Sequence, residues 1–310
     1  MSKIIFFISL LFLPIRIAWA TEMWLENISV AQLLEIYQKI NYLEDSDIYA
    51  IPQKIPPIYL KNFPADFNHI TDKEQRNRLF IKILAPLTLK LNDTILNERS
   101  QIIKLYNQHS SSQPLTAKQL ELIEKKAQKY DVFTPEKGSK RTIILLDELL
   151  KRIDAIPPSI MITIAAIETD FGSSRIVNQG NSLYKILEWH TNKGLKPIGE
   201  TEDDSYRIKT YPDIFQSMLD FALQINSSPD FNFLRMARDT SRNPKNNKPL
   251  GYDYAAYAFT NSPLPNYAGI IDYTLSYYTL SNIDRATLDL TPITAEIVKK
   301  YSKYLAKKIN

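Results

Sequence analysis

The sequence predicts a mostly α-helical protein with a small irregular or β lobe. Several stretches repeat apolar residues at helical spacing, and prolines or polar loops separate these stretches. Only residues 190–212 carry β-compatible fragments, such as SYRIKTY. With 310 residues and 44% hydrophobic content, the chain can bury a substantial core as one large domain or two modest ones.

Residues 1–20, MSKIIFFISLLFLPIRIAWA, are predicted to be a signal peptide. A basic start at Lys3 precedes an apolar run over residues 4–13, and the stretch ends in a small-x-small cleavage pattern. Pro14 and Arg16 leave the apolar run too short for a stable membrane span. We expect cleavage after Ala20 and export to the periplasm or another part of the cell envelope. The alternative is an uncleaved N-terminal anchor.

Composition excludes several classes of function. Without Lys3 and Arg16, the 38 basic residues become 36 against 34 acidic ones, which does not favour nucleic-acid binding. The chain has no cysteine, so disulfides and thiolate chemistry are excluded. His69, His109 and His190 are widely spaced and offer little for a zinc site or a serine triad. We therefore expect no metal and no cofactor, and chemistry carried by carboxylates.

Residues 21–140 are predicted to form a helical N-terminal region with a proline-rich extended segment. An amphipathic helix, SVAQLLEIYQKINYLE, comes first. The prolines between residues 52 and 64 exclude a regular helix and a central strand, so we expect an extended segment pinned to a surface. Thr71 and Glu74 form a capping-box pattern that begins a long helix, with Pro86 as a kink or break. Another helix, TAKQLELIEKKAQKY, follows.

Residues 141–290 are predicted to be a second domain, because the loop DVFTPEKGSKRT marks a boundary near residue 140. The helix IILLDELLKRID is stopped by two prolines, and further helices are expected at residues 214–225 and 267–280. Residues 291–310 predict a basic C-terminal helix, ITAEIVKKYSKYLAKKI. Its lysines would suit an anionic wall polymer or a membrane surface, and a solvated basic face explains them equally well.

The helix predicted over residues 159–171 ends in an acid that has no obvious cation beside it. Ile160, Ile164 and Ile167 form a core stripe, and Glu168 lies about 100° from Ile167 at the margin of that stripe. Apolar surroundings and the negative end of the helix dipole both favour the protonated carboxyl. A carboxylic acid that is protonated near neutral pH suits a general acid for glycosidic bonds. The alternative is that Glu168 faces solvent at the helix end.

Three motifs follow one another in the second half of the chain. The first is the apolar helix ending in Glu168 with the later turn GNSLY, and the second is YRIKTYPDIFQSMLDFALQI, which contains Ser217, Asp220 and Phe221. The third is TNSPLPNYAGIIDYTL, which contains Tyr267. In this order they resemble the motifs of glycoside hydrolase family 73, the bacterial peptidoglycan N-acetylglucosaminidases, with these residues at the motif positions. The resemblance covers roughly residues 141 to 282, and LFIKILAPLTLKLNDTILNER extends it to the Bax-type exported subgroup.

The resemblance implies a lysozyme-like helical domain that cleaves the β-1,4 bond after N-acetylglucosamine in peptidoglycan glycan strands. Glu168 would be the general acid, and Tyr267 would orient it or contact the sugar, with a core tyrosine as the alternative. The expected substrate contacts are Asn181, Tyr184 and Trp189. Asn181 is better suited to fixing the turn, and Trp189 either stacks on a sugar or lies in the core.

The partner carboxylate is expected in the lobe downstream of Glu168, where the resemblance implies a second acid. The segment PIGETEDDSYR offers four candidates, of which Glu200 comes first by spacing; the others are Glu202, Asp203 and Asp204. A solvated acidic loop is the alternative. Asp170 is only two positions from Glu168 and points to another helix face. Without a second carboxylate, cleavage assisted by the substrate N-acetyl group becomes the route.

Two other functions stay open at this stage. A lytic transglycosylase needs one catalytic acid, and a non-catalytic wall-binding or scaffold protein with a degenerate site needs none. The lobe between residues 190 and 212 is where the sequence departs most from the pattern of the family it resembles, and this departure favours the non-catalytic protein. The role of residues 21–140 and the oligomeric state do not follow from the sequence.

Overall fold

The computed structural model describes residues 22–43, 54–189, 192–198, 206–241, 251, 265–289, 291 and 293–306. Helices dominate these ranges and the strands are short, which confirms the predicted mostly α class. The helices are α1 (Val30–Lys39), α2 (Lys73–Ser110), α3 (Ala117–Lys129), α4 (Gly138–Arg152), α5 (Pro158–Thr169), α6 (Arg175–Gly180), α7 (Ile214–Ser227), α8 (Asn232–Ser241), α9 (Tyr267–Tyr277) and α10 (Ala295–Lys300). The strands are β1 (Met23–Leu25), β2 (Lys54–Ile55), β3 (Ile58–Leu60), β4 (Leu187–Trp189), β5 (Tyr206–Ile208) and β6 (Thr287–Leu288).

Helix α2 begins one residue later than the capping pattern predicted. The cap is Asp72, whose carboxylate accepts hydrogen bonds from the backbone of Glu74 and Gln75 at 2.9 and 3.1 Å. The prediction of Thr71 as the cap was therefore wrong, because an ionised carboxylate satisfies two free N–H groups and favours the positive helix end.

The same helix runs unbroken through Pro86, so the predicted break does not occur. A proline lacks the N–H that would bond to the carbonyl four residues earlier, here that of Lys82. In the structure the buried hydroxyl of Tyr42 donates to that carbonyl at 3.4 Å. Tertiary packing thus supplies a partner that the local sequence could not reveal.

The proline-rich segment is extended, as predicted, but its apolar side chains are buried rather than lying on a surface. Strand β3 pairs in parallel with β1, and β2 pairs in parallel with β6. Ile55, Ile58, Tyr59 and Leu60 are all inaccessible to solvent or nearly so. The prolines divide the segment into two short strands. One of them pairs with β1 from the N-terminal part of the chain, and the other pairs with β6 from the C-terminal part.

Helix α5 lies at the centre of the molecule. Every residue from 158 to 166 is buried, so the helix is enclosed on all sides over this range. The sequence predicted burial of only one face. Helices α2 and α9 and the 3-10 turn Leu280–Arg285 pack around it. Pro158 occupies the first helical position, as predicted.

One hydrophobic cluster extends through the described residues from Met23 to Tyr301. It includes side chains from the N-terminal region and from the predicted second domain. Helix α4 begins at Gly138, inside the loop that was predicted as a boundary. The division into residues 21–140, 141–290 and 291–310 stays a prediction.

The C-terminal segment is helical over a shorter stretch than the sequence predicted. Helix α10 ends at Lys300, a 3-10 turn follows, and Leu305 then forms an antiparallel bridge with Leu25. Pairing with the edge of β1 requires an extended chain, which explains why the helix stops. Lys300 contacts Glu35 of α1, and residues 307–310 lie outside the described ranges.

The small lobe contains the antiparallel pair β4–β5, with Trp189 opposite Tyr206. This pair confirms the β-compatible fragment that the sequence indicated. Helix α8 was not predicted. None of the helices in the described ranges is both long and apolar enough to cross a bilayer.

Candidate active site

The structure brings two predicted site residues together at the end of the central helix. Glu168 is the penultimate residue of α5 and is half-buried, and Tyr267 is the first residue of α9. The Tyr267 hydroxyl donates a hydrogen bond to Glu168 Oε1 at 2.8 Å. Because α9 packs on α5, residues that are far apart in sequence form one polar pair beside an apolar core.

Tyr267 is suited to act as a permanent donor. Its side chain is 5% exposed. Burial raises the pKa of Tyr267, and the charge of Glu168 and the hydrogen bond to it raise the pKa further. The phenol therefore keeps its proton throughout the physiological pH range and can hold one carboxylate oxygen of Glu168 in place.

A tight reversal of the chain ends the helix directly after Glu168. Asp170, Phe171 and Gly172 all have positive φ, at 47, 50 and 78°. A Cβ on Gly172 would lie 2.9 Å from the ring of Phe80 in α2. Only glycine combines this backbone conformation with this close approach, so Gly172 lets the turn pack directly on α2.

Helix α2 also holds the neighbouring acid. Arg76 forms an ion pair with Asp170 at 3.7 Å, and the Ser173 hydroxyl donates to the same carboxylate at 2.8 Å. Asp170 thus has partners on the α2 side of the turn, while Glu168 is bonded to α9. The expectation that Asp170 is not the catalytic partner stays a prediction.

Asn181 fastens the turn that follows α6. It caps that helix with a φ of 49°, and its side-chain amide donates to the carbonyl of Tyr211 at 3.1 Å. The hydroxyl of Ser217 accepts a hydrogen bond from the backbone of Leu183 in the same turn, at 3.0 Å. These contacts give Asn181 the structural role that the sequence favoured, and its contact with substrate stays a prediction.

Tyr184 packs in the interior. Its ring stacks on Phe221 with centroids 4.1 Å apart, and burial raises the pKa of its hydroxyl. Nearby, Asp220 accepts hydrogen bonds from Tyr211 and Lys209 at 2.7 and 2.8 Å. The motif residues on α7 therefore act as a scaffold for the turn. The predicted contact of Tyr184 with substrate is not tested by this arrangement.

Trp189 is a surface residue. It is 59% exposed on β4, and its ring lies 5.0 Å from that of Tyr206 on β5. The alternative that placed Trp189 in the core is therefore wrong. Side chains along a strand point to alternate faces, so the preceding residue, Glu188, points to the face opposite Trp189. On that face Glu188 Oε1 lies 3.9 Å from Lys209 Nζ.

The predicted partner carboxylate, Glu200, lies outside the described residues, as do Glu202, Asp203 and Asp204. Within the described ranges no group of three histidine or acidic side chains is arranged to hold a metal ion. Sequence reasoning missed the α2 residues Arg76 and Phe80, since nothing in their local pattern distinguishes them from other helical positions.

Comparison with known proteins points to one family. A family model described as "Glucosaminidase: Mannosyl-glycoprotein endo-beta-N-acetylglucosaminidase" matches residues 145–307, which is more than half of the chain. The match includes α5, the β4–β5 lobe and α9, and α2 lies outside it. Searches of curated proteins and of solved structures found no match.

Proposed function

Since the chain belongs to the glucosaminidase family, and is therefore a glycoside hydrolase of the endo-β-N-acetylglucosaminidase type, we propose that its substrate is peptidoglycan. It cleaves the β-1,4 bond after N-acetylglucosamine in the glycan strand, with Glu168 as the general acid. The observation that carries the assignment is the hydrogen bond from Tyr267 to Glu168 at the end of the central helix.

As the general acid, Glu168 gives a proton to the glycosidic oxygen as the bond from that oxygen to the anomeric carbon breaks. The leaving sugar departs as an alcohol, and Glu168 is left as a carboxylate. Water then supplies the new hydroxyl at the anomeric carbon, and its released proton passes to a carboxylate of the site. The Tyr267 hydroxyl stabilises this carboxylate through a charge-assisted hydrogen bond. Since that bond occupies Oε1, the acidic proton resides on Oε2, the oxygen available to the substrate.

A second group must stabilise the positive charge that develops at the anomeric carbon. We assign this role to Glu200, with the other acids of its loop and the substrate N-acetyl oxygen as the alternatives. A carboxylate about 5–5.5 Å from Glu168 would retain the anomeric configuration, and one about 6.5–9.5 Å away would invert it. Proton NMR of the first-formed anomer distinguishes the two. An unchanged rate for Glu200→Gln would remove Glu200 from this role.

The pair formed by the exposed Trp189 and the half-buried Tyr206 is the proposed platform for the sugar chain. An aromatic face carries partial negative charge and attracts the C–H bonds of a pyranose ring. The hairpin that bears the pair lies within the family-matched region. Residues 1–20 direct the enzyme to the periplasm or cell envelope, where peptidoglycan is found. The basic C-terminal lysines remain candidates for peripheral contact with the wall or membrane.

The test is digestion of purified peptidoglycan by wild type, Glu168→Gln and Asp170→Asn. Both variants change a carboxylate to an amide at the same turn, but only the first removes the proposed acid. We expect Glu168→Gln to lower the rate by about 10²–10⁴-fold, and Asp170→Asn to change it little.

Mass spectrometry of the products identifies the reaction. Reducing N-acetylglucosamine ends support the proposal, whereas 1,6-anhydro-muramyl ends would assign a lytic transglycosylase. Equal clearing by wild type and Glu168→Gln would exclude Glu168 as the acid. No clearing by either protein would favour a wall-binding scaffold.

A further inference from the structure

The outward side of α9 carries two exposed aromatic side chains that the proposed reaction does not use. Tyr273 is 66% exposed and Tyr277 is 55% exposed. The two residues lie one helical turn apart, and their rings stack with centroids 5.8 Å apart at an angle of 26°. We call this pair the α9 aromatic row. Ile270, one turn earlier on the same side, is also exposed.

Ring contacts link the α9 aromatic row to the turn that follows Glu168. Tyr277 packs edge-on against Tyr278 at 4.8 Å, and the ring of Tyr278 lies 5.2 Å from Phe171, three residues after Glu168. At 1.5 Å per residue, Tyr273 and Tyr277 lie about 9 and 15 Å along the helix axis from Tyr267. A polymer bound at Glu168 therefore needs to extend only a short distance to reach the row.

Stabilisation of α9 does not explain why Tyr273 and Tyr277 are exposed to water. A stacked pair at i and i+4 on a helix adds little to the stability of that helix. The buried residues of α9, including Tyr267 and Ile271, already hold the helix against α5. Paired surface tyrosines with an apolar face and a polar rim are more typical of binding surfaces.

The chemistry of the row fits a sugar chain. The C–H-lined faces of pyranose rings complement the negative faces of aromatic rings. Asp272 and Ser276 are exposed beside the row and can bond to the hydroxyl groups around the edge of a sugar. A purely apolar partner would leave these polar groups and both phenol hydroxyls without hydrogen bonds.

We propose that the α9 aromatic row is a second glycan-binding surface, which holds the N-acetylated sugar polymer of the wall beside the catalytic centre. This inference rests on the proposed function, because the occupant is the polymer that Glu168 cleaves. The row lets the enzyme grip an insoluble strand at a point beyond the bond under attack.

The test measures co-sedimentation with insoluble peptidoglycan in an E168Q background, so that the wall is not consumed. Adding Y273A and Y277A should raise the apparent dissociation constant about 5-fold or more, since each ring contributes about 0.5–1.5 kcal/mol. Adding Y273F and Y277F instead keeps both rings and should preserve binding. Phe133→Ala removes a ring that is 82% exposed in the α3–α4 loop and should also preserve binding.

Thermal unfolding midpoints check that each variant is folded. We expect these midpoints to change little, because the removed rings are exposed. Equal binding by E168Q and by E168Q/Y273A/Y277A would overturn the inference, and so would an absence of wall binding by E168Q. If Y273A/Y277A converts a dimer to a monomer with wall binding unchanged, the row is instead a contact between two copies of the chain.

The test of the α9 aromatic row can fail independently of the test of the proposed function. Binding is measured with the acid already removed, so inactivity of the wild type leaves the binding comparison intact. In the enzyme with Glu168 intact, Y273A/Y277A should lower the rate on polymeric wall relative to the rate on a short soluble oligosaccharide. An unchanged ratio of the two rates would contradict the glycan-binding role of the α9 aromatic row and would leave the catalytic role of Glu168 unaffected.

Discussion

At the scale of single residues, the candidate site depends on how the Tyr267 hydroxyl holds Glu168. The hydrogen bond of 2.8 Å links the C-terminal end of α5 to the first residue of α9. An isolated carboxylate at a helix end would sample several rotamers. The bond from the buried phenol leaves the second oxygen of Glu168 without a hydrogen bond from any residue that the structure describes. We therefore expect Tyr267 to act as a positioning residue.

Tyr267→Phe should lower kcat about 10- to 100-fold with little change in KM. The removed bond involves a charged carboxylate, for which the contribution is about 1.5–3 kcal/mol. The effect falls on kcat because the bond is strongest after Glu168 has given up its proton. Steady-state kinetics on soluble glycan check this, with Tyr304→Phe, whose hydroxyl bonds to Gln32 of α1, as the hydroxyl-deletion control. A rise in KM alone would indicate substrate contact instead of positioning.

Gly172→Ala should destabilise the protein more than Gly138→Ala. Both glycines have positive φ, 78 and 58°, so alanine is strained at each. At Gly138 the added Cβ meets nothing within 4 Å, while at Gly172 it meets Phe80 at 2.9 Å. We expect about 1 kcal/mol at Gly138 and about 2–4 kcal/mol at Gly172, from urea unfolding. Equal losses would mean that Phe80 moves aside freely.

At the scale of elements, α2 supports the site from outside the family-matched region. Its first half contacts the turn after Glu168 through Arg76 and Phe80. Its second half packs against α3 through Glu98, which is 11% exposed and bonded to Lys126, Lys129 and Tyr130. The position of α2 relative to the catalytic helix therefore depends on polar contacts as well as on apolar packing.

Glu98→Gln should lower the free energy of unfolding near pH 7, with a loss that disappears in acid. Burial alone would raise the pKa of Glu98, but Lys126 and Lys129 outweigh burial and hold the pKa below its usual value. A lowered folded-state pKa gives stability that is present above the unfolded value, about 4.3. That stability is lost as pH falls through the folded-state pKa.

The expected loss at pH 7 is about 1–2 kcal/mol, measured by urea unfolding between pH 3 and 7. Glu121→Gln is the control, because Glu121 forms an exposed pair with Lys125 on α3 and should have little effect. A difference between Glu98→Gln and wild type that persists unchanged at pH 3 would contradict the electrostatic account.

At the scale of the whole molecule, the N-terminal region and the family-matched region share one core. Phe63, Phe67 and Phe80 are buried and connect through ring contacts to Phe171, beside the candidate acid. Each buried phenylalanine contributes about 1.5–3 kcal/mol through burial alone. These contributions are comparable with the total stability of a typical domain.

A chain of residues 141–310 should therefore fail to fold alone. Without α2 it exposes the side of α5 that packs on α2 in the full chain, and most residues of α5 are apolar and buried there. Circular dichroism, protease resistance and catalytic rate check this, and mixing with residues 22–140 should restore structure and activity. A stable, active fragment of residues 141–310 would instead establish the boundary near residue 140.

The sequence by itself determined the helical class, the central apolar helix and the placement of Glu168 at its end. Local rules sufficed because the periodicity and the flanking prolines act over a few residues. The resemblance added Tyr267 as a candidate. Local rules failed at Pro86, at the α2 cap and at the C-terminal helix, where partners distant in sequence alter the outcome.

Only the tertiary structure decided that Tyr267 bonds to Glu168, that Asp170 pairs with Arg76 of α2, and that Trp189 faces solvent. It also placed Tyr273 and Tyr277 in a stacked row on the outer side of α9. Each of these facts depends on contacts between elements dozens of residues apart. Such contacts arise from packing of the whole core, and no local pattern encodes which side chains will meet.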